Sequence, residues 1–476
     1  MQQPTFDDVL RKVIGLIVPV SAGILKPSTR LCDTSVLNFF LKHPSLNDLK
    51  MRHTKVFIGM VVSGSLVLMF LYTSLRAKAI PSRKGLAVEV LNIPSFRNNF
   101  SVTATIIHKS QPVLAEVPAS SQTFAISENF RKAVPQSSAY WNRMQHFNLR
   151  QLDSGNFKGN SEGDEQLIWS QCHAQTMETL STNIQDFSSY PPLYQDFLRG
   201  MECRTPPILI DQPEKCSGDG QTFLLFGIKS VPKNFQQRQV VRETWGQEKR
   251  YNGGLQVRIV FLLGTWSLDE PSLEILLQHE AHHFGDVLQW DFRDSFFNLT
   301  LKENVFLNWV LKRCPQAKFI FKGDDDVFVN TKGMLAYLQS LEPEKASKLY
   351  VGHVVTEASP FRDAKNKYYV PKSFYEGAYP VYTGGGGFLF SGSLLPDLYR
   401  VSLYIPFFPI DDVYTGMCFQ ALGIQPEAHK DFRTFDIREE DRENACVHKD
   451  LLLVHQRSPQ QIMQLWRRIN SPLLTC

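Results

Sequence analysis

Three adjacent acidic residues stand between apolar segments of the sequence. Asp324-Asp325-Asp326 follows AKFIFKG (317–323) and precedes Val327-Phe328-Val329. Neighbouring carboxylates raise one another's pKa unless a cation lies among them. Carboxylate oxygens at the end of a strand suit Mg²⁺ or Mn²⁺, commonly shared with a substrate diphosphate. We therefore expect a divalent-cation site, with an acidic surface turn as the alternative. A calcium loop of the EF-hand type is excluded because Val329 stands where that loop requires glycine.

A second acidic pair and a histidine follow other apolar segments. Asp411-Asp412 comes after IPFFPI and opens the predicted helix VYTGMCFQALG. A carboxylate is favoured at a helix N-terminus by the dipole and the free amides, so one of the two could be only an N-cap. The pair could also supply a general base separate from the metal site. His455 ends LLLVHQ (451–456), where a core histidine and a metal ligand are both open.

A glycine run and a group of tyrosines lie between the two acidic sites. Gly384 to Gly387 precedes FLFSG, which indicates either a backbone that passes close to another group or a flexible hinge. The run lacks the lysine of a phosphate-binding P-loop. The tyrosines just upstream could stack on sugar rings or pack in the core. They are Tyr368, Tyr369, Tyr375, Tyr379 and Tyr382.

Alternating strands and helices are predicted to position these residues. The predicted strands are 222–230, 255–264, 286–290 and 317–323, and the predicted helices between them are 238–246, 271–284 and 299–313. This alternation is typical of an α/β fold with a mainly parallel sheet and helices on both faces. Ligands of such sheets collect at the carboxyl ends of the strands, where the acidic triplet lies.

Composition limits the classes of protein that fit. The 476 residues leave room for up to about three domains. Lys and Arg number 51 against 47 Asp and Glu, and this near-neutral balance does not favour a nucleic-acid partner. A hydrophobic fraction of 43% argues against global disorder. Eight cysteines without a CxxC pair favour neither a small disulfide scaffold nor a zinc site.

The N-terminal part predicts a membrane anchor. Residues 56–75 carry no charge and as a helix would span about 30 Å, the thickness of the bilayer core. Basic residues flank both ends, so their distribution does not decide the orientation. Sequons at Asn99 and Asn298, with most cysteines in the C-terminal part, favour a lumenal body.

The chain then divides into four parts. We predict a cytosolic segment at 1–55, a transmembrane signal-anchor helix at 56–75, a stem at 76–137 and a lumenal domain at 138–476. The stem is rich in Ser, Pro and Asn without sustained periodicity. Met51 precedes a complete short tail, so residues 1–50 could be an upstream extension.

Several collinear segments resemble one known family. RQVVRETWG, DSFFNLTLKE, FKGDDDVFVN, YPVYTGGGGFLFSG and PIDDVYTGMC are similar to the animal beta-1,3-glycosyltransferases of the Golgi, in particular to the beta-1,3-N-acetylglucosaminyltransferase branch. The resemblance covers roughly 138–476. It implies a GT-A type fold, in which a Rossmann-like nucleotide-sugar half joins an acceptor half. It also implies a single-pass type II protein of the Golgi membrane.

The resemblance assigns roles to individual positions. Asp326 and Asp324 would bind the metal together with His455, and Asp412 would be the catalytic base. Nucleotide-sugar positions would be Asp324, Asp325, Lys229, Arg238, Arg242 and Lys302. We place Tyr369, Tyr375, Tyr382 and Asp411 on the acceptor side. His353 stands where relatives usually carry Asp.

The implied reaction moves N-acetylglucosamine from UDP-N-acetylglucosamine to galactose of lactosamine-type glycans. Mn²⁺ or Mg²⁺ would neutralise the leaving UDP, while Asp412 takes the proton of the galactose 3-hydroxyl. A single displacement would invert the α linkage to β1,3. The alternatives are a beta-1,3-galactosyltransferase of the same family and a catalytically silent glycan-binding protein. A homodimer or a complex with related glycosyltransferases is a further expectation.

Seven cysteines fall in the predicted lumenal part, an odd number. We expect three bridges, Cys172 with Cys203, Cys216 with Cys314, and Cys446 with Cys476. Cys418, inside an apolar predicted helix, would remain a free thiol.

Overall fold

The structure, a computed structural model, describes residues 125–155, 178–218, 220–266, 271–435 and 437–476. The predicted membrane span at 56–75, most of the predicted stem, Asn99 and Cys172 lie outside these residues. Within the described ranges, no helix combines the length and apolar character needed to cross a bilayer.

Twelve strands are described. They are β1 (Ile208–Ile210), β2 (Thr222–Lys229), β3 (Lys249–Tyr251), β4 (Leu255–Thr265), β5 (Val287–Arg293), β6 (Phe319–Asp324), β7 (Phe328–Val329), β8 (Tyr350–Val355), β9 (Tyr382–Ser391), β10 (Glu427–Ala428), β11 (Phe432–Arg433) and β12 (Leu453–Val454).

The α-helices with defined bounds alternate with these strands. They are α1 (Glu128–Ala133), α2 (Tyr140–Asp153), α3 (Pro192–Gly200), α4 (Phe235–Glu243), α5 (Pro271–Phe284), α6 (Leu299–Arg313), α7 (Thr331–Gln339), α8 (Pro343–Ser347), α9 (Leu395–Ser402), α10 (Asp411–Ala421), α11 (Ala445–Asp450) and α12 (Pro459–Ile469). The predicted helices at 271–284 and 299–313 match α5 and α6. The helix predicted at 238–246 is α4, which lies three residues nearer the N-terminus.

Nine strands form one mixed sheet in the order β1-β5-β4-β2-β6-β9-β8-β10, with β3 paired to β4. Strand β2 runs parallel to both β4 and β6, and β4 runs parallel to β5. Strand β9 is antiparallel to both of its neighbours, β6 and β8. The prediction of an α/β fold is therefore confirmed, but the sheet is mixed rather than mainly parallel, because β1, β3 and β9 pair antiparallel with their neighbours.

The sheet separates two apolar cores. Strand β2 is buried along almost its whole length, as expected for a parallel strand covered on both faces. Because side chains alternate along a strand, Leu225 joins one core with Trp141 and Phe306, while Leu224 joins the other core with Trp245. Helix α6 therefore contacts one face of the sheet and α4 the other.

A second, three-stranded sheet has the order β11-β12-β7. Its strands are only two residues long, and β7 follows the acidic triplet directly. Leu453 of β12 pairs with Val329 of β7, while β11 runs parallel to β12. This small sheet holds the segment after β12 beside the segment after β6.

The packed unit begins upstream of the predicted stem boundary at 137. Ile126, Phe130 and Val134 are buried, and the backbone N–H of Ser127 donates to the Ala421 carbonyl at 2.8 Å. These three apolar residues recur every four positions, the spacing of one helix face. Residues from 126 onward, which were predicted to belong to the stem, are therefore packed against the folded unit.

The bridges between Cys216 and Cys314 and between Cys446 and Cys476 are present, and Cys418 is a buried free thiol, as predicted. Cys203 is disulfide-bonded, but its predicted partner lies outside the described residues.

The sequon at Asn298 lies inside the packed unit. Asn298 is 2% exposed, and its amide nitrogen donates to the Arg293 carbonyl at 2.8 Å. A glycan at this position would require that hydrogen bond to break and the side chain to turn outward. The packing therefore disfavours the predicted glycosylation of Asn298.

Candidate active site

A cleft of about 340 Å³ opens at the carboxyl ends of β2 and β6. Because these strands are parallel neighbours, their last residues, Lys229 and Asp324, pair in register. The cleft brings together eight of the predicted site residues. They are Lys229, Lys302, Asp324, Asp325, Asp326, Asp411, Asp412 and His455.

Three of these side chains form a candidate metal site. Asp324, Asp326 and His455 each offer one ligand atom, and these atoms lie within 4.8 Å of one another. The Nε2 atom of His455 is 3.4 Å from Asp326 Oδ1 and 3.8 Å from Asp324 Oδ2. Asp326 Oδ1 is buried without a hydrogen-bond partner. Two carboxylates and an imidazole fit a divalent cation that would satisfy this oxygen.

The small sheet sets the orientation of His455. Nδ1 of its ring lies 3.3 Å from the Thr434 carbonyl, so this nitrogen can donate its proton to the backbone and leave Nε2 to bind metal. The backbone N–H of Arg457 donates to the Asp326 carbonyl at 2.8 Å, which joins the two segments. Burial acts to lower the pKa of His455, but Asp326 and Asp324 outweigh it and raise that pKa.

Lys229 connects the two acidic groups of the cleft. Its Nζ atom lies 2.6 Å from Asp411 Oδ2 and 3.1 Å from Asp324 Oδ1. Burial acts to lower the pKa of Lys229, yet the carboxylates around it raise that pKa well above its usual value. Burial likewise acts to raise the pKa of Asp411, but the Lys229 ammonium holds it below the ordinary value. Asp411 is thus ionised and paired with Lys229, which argues against its predicted contact with an acceptor.

Asp412 has a different environment from its neighbour. It lies in the first turn of α10, after the N-cap position occupied by Ile410. Its Oδ1 accepts from the Val413 N–H at 2.8 Å, and its Oδ2 accepts from the Gly385 N–H at 3.1 Å. Burial, followed by the charge of Asp411, raises the pKa of Asp412 to about 7. A carboxylate with this pKa is suited to general-base catalysis near neutral pH.

The glycine run lies in β9, so the alternative of a flexible hinge is wrong. A Cβ atom on Gly386 would lie 2.9 Å from the ring of His455. A Cβ atom on Gly385 would lie 3.4 Å from Asp412 Oδ2. Because Gly385 and Gly386 have no side chains, Asp412 and His455 can both lie close to β9. His455 does so at the candidate metal site, and Asp412 at the position of the candidate base.

Asp325 faces away from the metal ligands. Its Oδ2 accepts from Ser230 Oγ at 2.6 Å and from Asn234 Nδ2 at 2.9 Å. Burial is the main cause that raises its pKa to about 6. Asp325 lines the cleft and ties the end of β6 to the β2–α4 connection.

Arg238 and Arg242, predicted to contact the nucleotide, are not among the described residues that line the cleft. Arg238 is fully buried and forms a two-point ion pair with Glu280, at 2.8 and 2.6 Å. Arg242 pairs with Asp286 at 2.7 and 2.8 Å and also with Glu280. Their guanidinium groups hold α4 against α5 and the segment after it, outside the cleft. The sequence shows basic residues on α4 but not the distant carboxylates that occupy them.

Lys302 does reach the cleft. Its Nζ atom donates to the Ser230 carbonyl at 2.6 Å and lies 2.8 Å from Asp294 Oδ1, with both charged groups buried. The same carboxylate accepts from the Gly264 N–H at 2.8 Å. Lys302 therefore fixes the ends of β2, β4 and β5 around the cleft floor.

The three tyrosines placed on the acceptor side do not occur among the described residues that line the cleft. Tyr375 is 3% exposed and packs edge-on against Trp141 and Phe408 in the core. The ring of Tyr369 lies 6.3 Å from that of Tyr194. Tyr382 begins β9 and packs closely against Gly416, so that a Cβ atom on Gly416 would clash with the Cβ atom of Tyr382. The predicted contact of these tyrosines with an acceptor is therefore not supported.

Three other aromatic residues, none of them among the predicted site residues, line the cleft. Phe296 and Tyr368 lie on one wall with rings 5.5 Å apart, and Lys367 lies over Tyr368 at 4.6 Å. Phe435 also lines the cleft. Tyr368 belonged to the tyrosine group described above, whereas Phe435 was given no role from the sequence.

Comparison with known proteins identifies the family of the chain. Residues 236–430 match the galactosyltransferase family. The chain is 46% identical over 355 residues to N-acetyllactosaminide beta-1,3-N-acetylglucosaminyltransferase 2 of Mus musculus, covering 73% of this chain and 89% of that protein. The chain therefore belongs to this family of glycosyltransferases.

A second relative is UDP-GlcNAc:betaGal beta-1,3-N-acetylglucosaminyltransferase 7 of Rattus norvegicus. It is 44% identical over 299 residues, covering 61% of this chain and 74% of that protein. Among solved structures, a glycosyltransferase involved in glycosylation of the major capsid of PBCV-1 matches 51% of this chain and 98% of that chain. Its sequence identity to this chain is 13%, and the TM-score is 0.28.

Proposed function

We propose that this glycosyltransferase moves N-acetylglucosamine from UDP-N-acetylglucosamine to the 3-hydroxyl of galactose in lactosamine-type glycans. The observation that supports this most is one cleft that contains both a metal-type cluster and a separate carboxylate with a pKa near neutrality. The relatives of at least 44% identity reported above are named beta-1,3-N-acetylglucosaminyltransferases. The mixed sheet is compatible with the GT-A arrangement.

The proposed cofactor is Mn²⁺ or Mg²⁺. Asp324, Asp326 and His455 would hold the ion, which would neutralise the charge that develops on the leaving UDP. The buried oxygen of Asp326 without a partner and the direction of His455 Nε2 support this assignment. No protein general acid is then needed at the leaving group.

Asp412 is the proposed base. Hydrogen bonds from Gly385 and Val413 hold its two oxygens, which keeps the side chain fixed at the cleft wall. From there the carboxylate accepts the proton of the galactose 3-hydroxyl as that oxygen attacks C1 of the donor sugar. Attack opposite to the leaving UDP inverts the anomeric centre and yields a β1,3 linkage. Lys229 keeps Asp411 ionised, and the charge of Asp411 in turn keeps Asp412 basic.

One assay distinguishes the proposed activity from the two alternative functions. Full-length protein is incubated with a lactosamine-type acceptor and either UDP-N-acetylglucosamine or UDP-galactose, and UDP release is measured with and without Mn²⁺. We expect release with the first donor only. Release with UDP-galactose alone would favour a beta-1,3-galactosyltransferase. Glycan binding without any release would favour a silent binding protein.

We also propose a type II topology in the Golgi membrane, with residues 56–75 as the anchor and the described unit in the lumen. The twenty uncharged residues at 56–75 and the disulfides of the described unit support this placement. A protease-protection assay on intact Golgi vesicles tests it, since digestion of the described unit without detergent would exclude a lumenal location.

Glycosylation at Asn99 is tested by enzymatic removal of N-glycans. A change in the mobility of the wild type that does not occur for Asn99→Gln would support glycosylation at Asn99. The proposed homodimer or complex with related glycosyltransferases can be tested by co-purification.

A further inference from the structure

Phe435 is an exposed aromatic residue at the edge of the cleft. Although 60% of its surface is exposed, its ring lies against the backbone of β9, where a Cβ on Gly384 would be 2.9 Å away. The imidazole of His353 meets the ring edge-on, with centroids 5.3 Å apart and an interplanar angle of 88°. Ligand pockets are lined mainly by apolar and aromatic side chains, and Phe435 lines this cleft while two neighbours hold its ring in place.

Phe435 is connected to both chemical groups of the site through its neighbours. The residue before it, Thr434, offers its carbonyl to His455 Nδ1 at 3.3 Å. The strand it covers continues from Gly384 to Gly385, which donates to Asp412. A sugar linked to a metal-bound diphosphate must extend from the metal cluster toward the base. Phe435 lines the same cleft as the metal-type cluster and Asp412, where a sugar on that path would bind.

We propose that Phe435 stacks on the N-acetylglucosamine ring of the nucleotide-sugar donor and thereby determines donor affinity; this rests on the proposed function. A hexose presents a face of C–H groups, which an aromatic ring can cover in the way it covers other apolar surfaces. Gly384 leaves room for the ring to lie flat on β9. His353 acts as a positioning residue that keeps the ring from turning away, and its Nδ1 lies 3.3 Å from the Phe432 carbonyl.

The test compares the full-length protein with Phe435→Ala and Phe435→Tyr. Phe147→Ala is the matched control, because Phe147 is 53% exposed and is not among the described residues lining the cleft. Calorimetry in Mn²⁺ measures the Kd of UDP-N-acetylglucosamine and, separately, of UDP. We expect Phe435→Ala to weaken binding of the nucleotide sugar about tenfold, the value of one lost aromatic contact. UDP binding should not change, because UDP lacks the N-acetylglucosamine group.

Phe435→Tyr should retain donor binding, and His353→Ala should weaken it less than Phe435→Ala does. Equal loss of UDP and UDP-N-acetylglucosamine affinity in Phe435→Ala would overturn the proposal, because the contact would then be to the nucleotide. Unchanged donor binding with a raised acceptor KM would also overturn it. If wild-type protein bound UDP but gained nothing from the N-acetylglucosamine group and released no UDP from this donor, the proposed function itself would fail.

Discussion

The ammonium of Lys229 lies 2.6 Å from the carboxylate of Asp411, although 182 positions separate the two residues in the chain. Lys229 ends β2, and Asp411 begins α10. Both groups are buried, and the same ammonium also contacts Asp324 at the candidate metal site. This ion pair therefore joins the metal side of the cleft to the side that carries Asp412.

Replacement of Lys229 by Met should destabilise the fold. It leaves the buried carboxylate of Asp411 without its partner, and breaking a buried pair in this way costs about 3–5 kcal/mol. Urea unfolding measures the loss in the free energy of unfolding. Lys229→Met/Asp411→Asn should recover part of that loss, since no uncompensated charge then remains at Asp411.

The matched control for Lys229 is Lys249→Met, at an exposed position of β3. We expect no measurable change in the free energy of unfolding for this variant. Equal stability of Lys229→Met and wild type would contradict the role assigned to the ion pair.

Asp412→Asn should abolish turnover and preserve UDP binding. The amide keeps the shape of the side chain but cannot accept the proton of the galactose hydroxyl, and loss of a general base lowers turnover by about 10²–10⁴-fold. The measurements are UDP release in the presence of acceptor and the Kd of UDP in Mn²⁺.

Asp397→Asn serves as the control for this substitution. Asp397 also lies in the first turn of a helix, α9, but its side chain is 58% exposed. Its variant should have wild-type turnover. An Asp412→Asn enzyme that worked as fast as Asp397→Asn would rule out Asp412 as the base.

The rate should depend on pH through Asp412. Its pKa is raised from 3.8 to about 7, so the carboxylate is deprotonated and active above that pH and protonated and inactive below it. We expect kcat/KM to rise with pH and to level off above about 7, falling by about tenfold per pH unit on the acid side. A pH profile that stayed flat from 5 to 8 would be inconsistent with a base in this environment. This range extends about two units below the pKa and about one unit above it, so the base would change its protonation state within it.

Loss of His455 should weaken metal-dependent nucleotide binding. Removal of one of three protein ligands from the cluster should raise the Mn²⁺ concentration needed for UDP binding by at least about 10–100-fold, the range seen even for residues that only orient a ligand. Calorimetric titration of UDP at several Mn²⁺ concentrations compares His455→Ala with wild type. A chelator should reduce UDP binding by the wild-type protein to the level measured for His455→Ala.

His282→Ala is the control for the metal experiment, because His282 is an exposed residue of α5. Its Mn²⁺ dependence should equal that of wild type. If His455→Ala showed the same dependence as this control, the assignment of His455 as a ligand would be lost.

Much of the fold and many of the candidate site residues could be predicted from the local sequence. The apolar segments that became β2, β4 and β6 are continuous because parallel strands covered on both faces have no solvent side. The acidic triplet and the Asp411-Asp412 pair stood out because charges next to such segments are costly without partners. Two disulfides and the free Cys418 also agreed with the expectation.

The tertiary structure decided which of these candidates share a cleft. Arg238 and Arg242 were plausible nucleotide contacts until the fold brought Glu280 and Asp286 against them, while Lys229 and Lys302 remained at the cleft. The position of Phe435 depends on its contact with β9, a strand that is distant in the chain, so the residues next to Phe435 do not predict it. The type of a side chain is local information, but its direction and its partners depend on segments that are distant in the chain and meet only when the sheet is assembled.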